Sequence, residues 1–205
     1  MQNCLICGAN TADSVKGYGV ISPWIRDWGK IKKRTSVLSI CDYCEGASVD
    51  YRFNKDEMAR IYTNYRSLEY TSVRTKWEPW YTFLFNLAHD FGPVVDQRKS
   101  LLESFLDESG VVDIKKVVDV GGDLGQYIPN FDLETCRHVI DITDRQLVNG
   151  VKRIARIENL SEIDLIIYAN VLEHVLNPLE DLAQLISRAR YVYVEVPFGN
   201  PLLPL

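Results

Sequence analysis

Nine residues, Val117 to Gly125 (Val-Val-Asp-Val-Gly-Gly-Asp-Leu-Gly), constrain this chain more than any others. A β-branched run suited to a buried strand meets an acid and then a glycine-rich turn. In open α/β sheets, a strand, a glycine turn and a following helix build a ligand cleft at the carboxyl ends of parallel strands. The pattern predicts a short helix from about residue 124, ended by Pro129.

The sequence beyond Val111 continues in the same style. Strands are expected at 116–120, 138–142, 153–157, 164–169 and 190–196, with a helix over 177–188. Alternation of this kind reads as α/β with a parallel sheet. After its opening acid, the segment Asp164-Leu-Ile-Ile-Tyr-Ala169 is continuously apolar, as a strand covered on both faces should be. Upstream the pattern differs. Residues 55 to about 108 are helical in period: Met58, Ile61, Tyr62 and Tyr65 recur at helical spacing, as do Trp80, Phe83, Leu84 and Leu87. Residues 1–54 are polar, with short β-branched runs between glycine turns. Three regions follow: 1–54, a helical linker or lid at 55–110, and a Rossmann-like sheet domain at 111–205.

The loop spacing is Asp-x-Gly-x-x-x-Gly, which departs from the dinucleotide pattern: the sixth position counted from Gly121 is Gln126. Asp141 closes the apolar run His138-Val139-Ile140 and lies 20 residues beyond Gly121. An acid there suits the two hydroxyls of a ribose. Adenosine held without a pyrophosphate is the expectation, with S-adenosylmethionine as the candidate.

Cys4-x2-Cys7 and Cys41-x2-Cys44 form the second signal. Each pair sits on a tight turn, and two such turns supply four thiolates to a tetrahedral Zn²⁺ with a structural role. The alternative is two disulfides or four buried thiols. The N-terminus lacks the basic and apolar regions of a signal peptide, which disfavours disulfides and gives a cytoplasmic address by default. Cys136 reads as a small buried apolar residue.

Charge limits the partners. Residues 1–75 carry 11 basic against 8 acidic side chains, whereas residues 76–205 carry 12 against 20. An acidic body disfavours nucleic acid, whose phosphates want a basic face. No apolar run nears the roughly 20 residues that span a bilayer. A small-molecule substrate fits better; oligomeric state is not legible. The chain stops soon after the last strand, where such a sheet would continue, so the tail Pro197–Leu205 reads as the interruption of a longer protein.

Three features together, the cysteine ribbon, the Asp119–Gly125 loop and Tyr168-Ala-Asn-Val-Leu-Glu-His-Val-Leu-Asn-Pro178, resemble the class I S-adenosylmethionine-dependent methyltransferases. More narrowly, the chain is similar to the subgroup with an N-terminal zinc-binding domain found among sugar methyltransferases and polysaccharide-biosynthesis clusters. The resemblance implies that Gly121, Gly122 and Gly125 approach the methionine part of the cofactor through their backbone. It implies that Asp119 contacts the cofactor's ammonium, Asp141 takes the ribose hydroxyls, and Asn170 lines the cleft near the reactive methyl. Asp123, where the family often has Gly, would pair with the cofactor's cationic end or cap the following helix, the cap being favoured. In the sugar C-methyltransferases the segment matching Glu173-His174 carries a His base. A neutral imidazole can remove the proton that methyl transfer requires, although Leu-Glu-His also recurs where it only packs or orients a loop. Glu173 would orient His174 or satisfy nearby backbone.

The residues Tyr62, Tyr65, Arg66, Tyr70 and Arg74 pose a similar choice: a lid with arginines for a sugar-nucleotide diphosphate, or an amphipathic packing face, which is favoured. The leading expectation is methyl transfer to a sugar, sugar nucleotide or related polysaccharide precursor. The alternatives are a non-catalytic cofactor-binding or interaction module and an RNA methyltransferase.

Overall fold

A computed structural model describes residues 3–10, 15–132 and 134–196. By contact the chain divides into two units, Met1–Val95 with Val175–Ala183 and Asp96–His174 with Gln184–Leu205. Among the described residues, no helix is long and apolar enough to cross a membrane. The tail Pro197–Leu205, where the sheet was expected to be interrupted, lies outside the described residues.

The first unit opens with two cysteine turns and a three-stranded antiparallel sheet. Its strands β1 (Val15–Val20), β2 (Thr35–Ile40) and β3 (Ala47–Val49) lie in that order. The register runs from Val15 opposite Ile40 to Val20 opposite Thr35, and β3 pairs Ala47 with Ile40. Helix α1 (Pro23–Gly29) begins with a proline at a position whose N–H would be unpaired anyway. Three short helices follow, α2 (Lys55–Tyr62), α3 (Leu68–Thr75) and α4 (Phe83–Asp90). Each has a side-chain cap. The Asn54 carboxamide accepts from the Glu57 amide while the Glu57 carboxylate accepts from the Asn54 amide; Ser67 and Thr82 cap α3 and α4. Helices of eight residues are marginal alone. These are fixed by an aromatic core of Trp24, Ile31, Ile61, Tyr70 and Tyr81. Tyr70 sits at its centre, edge-to-face with Trp24, Trp28 and Tyr65 at ring separations of 5.6, 5.5 and 5.3 Å.

In the second unit the five strands are β4 (Lys116–Val120), β5 (Cys136–Ile140), β6 (Val151–Arg153), β7 (Ile163–Ala169) and β8 (Ala189–Glu195). They form one parallel sheet in the order β6-β5-β4-β7-β8. The fold is a Rossmann-like mixed α/β arrangement, as the strand–helix alternation implies. The chain builds outward from β4 through β5 to β6, then returns to lay β7 on the other side of β4. That reversal is a topological switch point, where open α/β sheets hold their ligands. The core bears out the double-sided burial read for β7: Leu165, Ile166, Ile167 and Tyr168, which alternate between its faces, are each at most 1% exposed. Leu102 and Leu106 of helix α5 (Pro93–Glu108) join Val117, Val139, Leu165 and Ile167 in one cluster.

Helix α6 (Pro178–Ile186) precedes β8. The connections between the early strands differ from expectation. Residues 121–132 after β4 form turns, not the helix expected from about 124. The cause is local: Gly121, Asp123 and Gly125 all have positive φ, at 77°, 51° and 74°. A left-handed residue at every second position cannot propagate a right-handed helix.

Candidate functional site

The two cysteine turns are built alike. In the first, the Gly8 amide donates to the Cys4 carbonyl at 2.9 Å and the Cys4 amide to Ala9 at 2.7 Å. In the second, Glu45 donates to Cys41 at 2.8 Å and Cys41 to Gly46 at 3.0 Å. Gly8 and Glu45 supply the left-handed conformation that closes each turn. A Cβ at Gly46 would collide with Ile6 of the first turn, so glycine there lets the turns approach.

The result is a compact tetrad. The sulfurs of Cys4, Cys7, Cys41 and Cys44 all lie within 4.8 Å of one another. Cys4 Sγ to Cys44 Sγ is 3.7 Å and Cys7 Sγ to Cys41 Sγ is 3.8 Å. All five cysteines are free thiols, and an S–S bond of about 2 Å is excluded by those distances. Four sulfurs at the corners of a tetrahedron with bonds of about 2.3 Å stand about 3.8 Å apart. The geometry is therefore compatible with a structural metal ion and rejects the disulfide alternative. Cys136, expected to be buried, is exposed at the start of β5.

The second constellation lies at the carboxyl ends of the parallel strands. Asp119 is the penultimate residue of β4, Asp141 follows β5, Asn170 follows β7, and Glu195 closes β8 opposite Ala169. Asp119 is 4% exposed, yet among the described residues its carboxylate makes no hydrogen bond or ion pair. Burial pushes its pKa up to about 7; the positive charge of Arg98 opposes that rise, while the charges of Asp141 and Asp123 add to it. A buried acid left in this condition is costly and is characteristic of a site awaiting a cation or donor.

The glycines hold the loop close around it. A Cβ at Gly122 would run into the Asp119 carboxyl group, and one at Gly121 into Val171. At Gly125 it would lie 2.9 Å from Val151 and 3.0 Å from Val139. Glycine is required at these positions because the protein's own side chains fill the space a Cβ would take.

Asp141 fastens the loop from the next strand. Its carboxylate accepts from the Asp123 amide and the Thr143 amide, both at 2.8 Å. Asp123 does not cap a helix, since none follows. Its carboxylate pairs with Arg145 at 2.6 Å, and Arg153 in turn donates to the carbonyls of Thr143 and Arg145. On the other side of the switch point, Asn170 has left-handed φ of 56°. Its amide donates to the Glu195 carbonyl at 2.8 Å and its Nδ2 to Glu195 Oε1 at 3.4 Å. His174 lies on a 3₁₀ turn, Leu172–His174, with Nε2 3.6 Å from Glu173 Oε1 and its side chain 40% exposed.

Two contributors were not singled out from the sequence. Glu195 accepts from Arg98 Nη2 and from the Tyr193 hydroxyl, each at 2.8 Å. The Arg98 guanidinium also lies over the Tyr127 ring at 4.5 Å. Glu195 had a signal, as an acid closing an apolar strand in the manner of Asp119 and Asp141. Arg98 had none, being one charge on a polar helix face.

The tyrosines and arginines of residues 62–74 belong to the aromatic core of the first unit. Arg74 lies 4.4 Å from the Trp24 ring and 3.8 Å from the Tyr81 ring and bonds Glu78 at 2.5 Å, while Arg66 pairs with Asp90. They form the packing face that helical spacing suggested. Compared with family models and with curated proteins, the sequence matches none of either.

Proposed function

We propose that this protein is an S-adenosylmethionine-dependent methyltransferase acting on a sugar, sugar nucleotide or related polysaccharide precursor, with Zn²⁺ as the structural metal of the cysteine tetrad. The observation that carries the reading is Asp119: a buried carboxylate without a donor, at the end of the central strand, beside the switch point. An α-ammonium group is the complement such an acid lacks. The residues fit the rest of the cofactor as well. Gly121, Gly122 and Gly125 let the loop fold tightly against Val171, Asp119, Val139 and Val151, which holds it at the strand ends beside Asp119. Each Asp141 oxygen accepts one loop amide and retains a lone pair for a ribose hydroxyl. When bound, the cofactor supplies a methyl group already activated on a sulfonium.

The protein's own contribution is then alignment and the removal of one proton. Asn170 is held at the end of β7 by two hydrogen bonds to Glu195 and faces the acceptor side of the cleft in this reading. His174 is the proposed base, with Glu173 orienting it. Its exposure is consistent with a residue that meets an incoming acceptor and returns its proton to water.

Calorimetry against S-adenosylmethionine and S-adenosylhomocysteine, followed by methyl-transfer assays over a panel of sugar nucleotides, tests both halves. Binding of either nucleoside with turnover of a sugar nucleotide is expected. Binding without turnover on any acceptor would favour a non-catalytic module. Steeply salt-dependent binding of structured RNA would favour the nucleic-acid alternative.

A further inference from the structure

We propose that the exposed segment Lys30–Arg34, at one end of the β1–β2 pair, is a docking surface for an anionic lipid membrane, bound peripherally and reversibly. The proposal is independent of the cofactor reading.

The positive charge of the first part of the chain is concentrated here. Residues 26–34 (Arg-Asp-Trp-Gly-Lys-Ile-Lys-Lys-Arg) carry five basic side chains and one acidic, a surplus of 4. Residues 1–75 as a whole carry 11 against 8, a surplus of 3, so the remainder is slightly acidic. Ile31 is 5% exposed in the aromatic core and pins the segment, while Lys30, Lys32, Lys33 and Arg34 on either side of it are exposed. The Ile31 amide donates to the Arg26 carbonyl at 3.1 Å and the Ile21 amide to the Arg34 carbonyl at 3.0 Å, which ties both ends of the segment to the fold. Lys30 and Arg34 are four residues apart and stand at most about 14 Å from each other, so the four cations can meet one surface together.

These charges are not spent within the protein. Among the described residues none of the four is in an ion pair. Lys33 lies over the Tyr51 ring at 5.8 Å. Asp27 accepts instead from the Trp77 indole at 2.9 Å. Asp50, which feels the charge of Lys33, already accepts from the Ser36 hydroxyl and the Val37 amide, each at 2.7 Å. Asp42 and Glu45 of the second cysteine turn lie past the far end of β2, about 20 Å along the strand. That is well outside the screening length of roughly 8 Å at physiological ionic strength.

A membrane suits this surface better than a nucleic acid does. Three of the four cations are lysines, compact charges that answer a diffuse field of headgroups, whereas nucleic-acid recognition favours the arginine fork. Beside the segment, β1 presents Val20 opposite Thr35 and Tyr18 opposite Val37, with Val20 74% and Tyr18 89% exposed. An aliphatic side chain has no role against a base or a phosphate. Both side chains can enter the headgroup layer, the tyrosine with its hydroxyl kept in the polar region. A basic cluster with a shallow apolar contact is a two-part signal for reversible binding at the interface.

The test sediments the full zinc-replete chain with phosphatidylcholine vesicles that contain or lack phosphatidylserine. Each cation near an anionic surface contributes roughly fivefold, so four predict a preference for the anionic vesicles of about several hundredfold at low salt. The preference should fall steeply as salt is raised. Lys32→Glu with Lys33→Glu should weaken binding by at least about 25-fold. Lys115→Glu with Lys152→Glu makes the same change in net charge at exposed positions elsewhere and should cost less than about threefold. Tyr18→Ser with Val20→Ser should weaken binding several-fold without altering the salt dependence, because an apolar contact is not screened. Equal binding to both vesicle types, or equal losses from the two charge-reversed proteins, would overturn the proposal. A short oligouridylate is titrated in parallel. If it binds more tightly than the anionic vesicles at the same salt and is lost in Lys32→Glu with Lys33→Glu, the surface belongs to a nucleic acid and the lipid assignment falls.

Discussion

Replacing Asp119 with Asn should make the protein more stable and abolish binding of S-adenosylhomocysteine, the probe of the proposed cofactor. The folded protein raises the Asp119 pKa from 3.8 to about 7, chiefly by burial. Between those values the folded state keeps a proton that the unfolded chain has released. Folding stability must therefore fall as pH rises through this window. At 1.36 kcal/mol per tenfold, the full effect is about 4 kcal/mol, reached above pH 7. Asn fills the same space, carries no charge and removes that dependence. Urea unfolding of both proteins at pH steps from 5 to 8.5 isolates the effect, because titrating groups not coupled to Asp119 cancel in the difference. The variant's advantage should grow with pH and level off above 7. Saturating S-adenosylhomocysteine should stabilise wild type and leave the variant unmoved. A difference between the two proteins that stays flat with pH refutes the burial argument; an Asn variant that still binds the ligand refutes the role of the carboxylate.

Further outcomes are expected elsewhere. Native mass spectrometry should find one zinc per chain, lost in Cys41→Ser, with a fall of several degrees in the first thermal transition on chelation. The measurement would be calorimetric, and metal-free protein of unchanged stability would count against a structural ion. Gly125→Ala meets Val151 at 2.9 Å and must hold φ of 74°, so a loss of about 1–3 kcal/mol is expected by urea titration. His138 is buried on β5 and burial lowers its pKa below 6.5. Its unfolded form therefore takes up a proton first as pH falls, and the stability it contributes, full above about 6.5, is lost below that value. Replacement by Gln should flatten the urea-midpoint slope between pH 5 and 7, and an unchanged slope would contradict it.

How far the sequence reached depends on whether the signal was local. Most of the parallel sheet was legible because its central strands carry their own apolar runs, such as Asp164–Ala169 and Val117–Val120; the edge strand β6 (Val151-Lys-Arg153) carries none, and the strand expected at 153–157 runs instead into a 3₁₀ turn at Ile157–Asn159. The cysteine tetrad was legible for the same reason, since each turn declares itself in four residues. The missing helix after β4 was not. Asp123 is an ordinary helix N-terminal residue by composition, and only the alternation of left-handed positions with Gly121 and Gly125, set by its ties to Arg145 and Asp141, removes the helix. Arg98 lay further out of reach. It is separated from Glu195 by 97 residues, and nothing in its helical surroundings distinguishes it from a solvated charge. Asp141 was read as a ribose acid from its distance along the chain; its hydrogen bonds to two loop amides could be known only from the fold.

The cofactor site stands or falls with Asp119. Isothermal titration of S-adenosylhomocysteine into the zinc-replete protein at pH 8, where Asp119 is ionised, asks this directly. One site per chain with micromolar or tighter affinity, abolished in Asp119→Asn, is expected. A folded protein that gives no binding heat and no thermal shift with either S-adenosylhomocysteine or S-adenosylmethionine would contradict it.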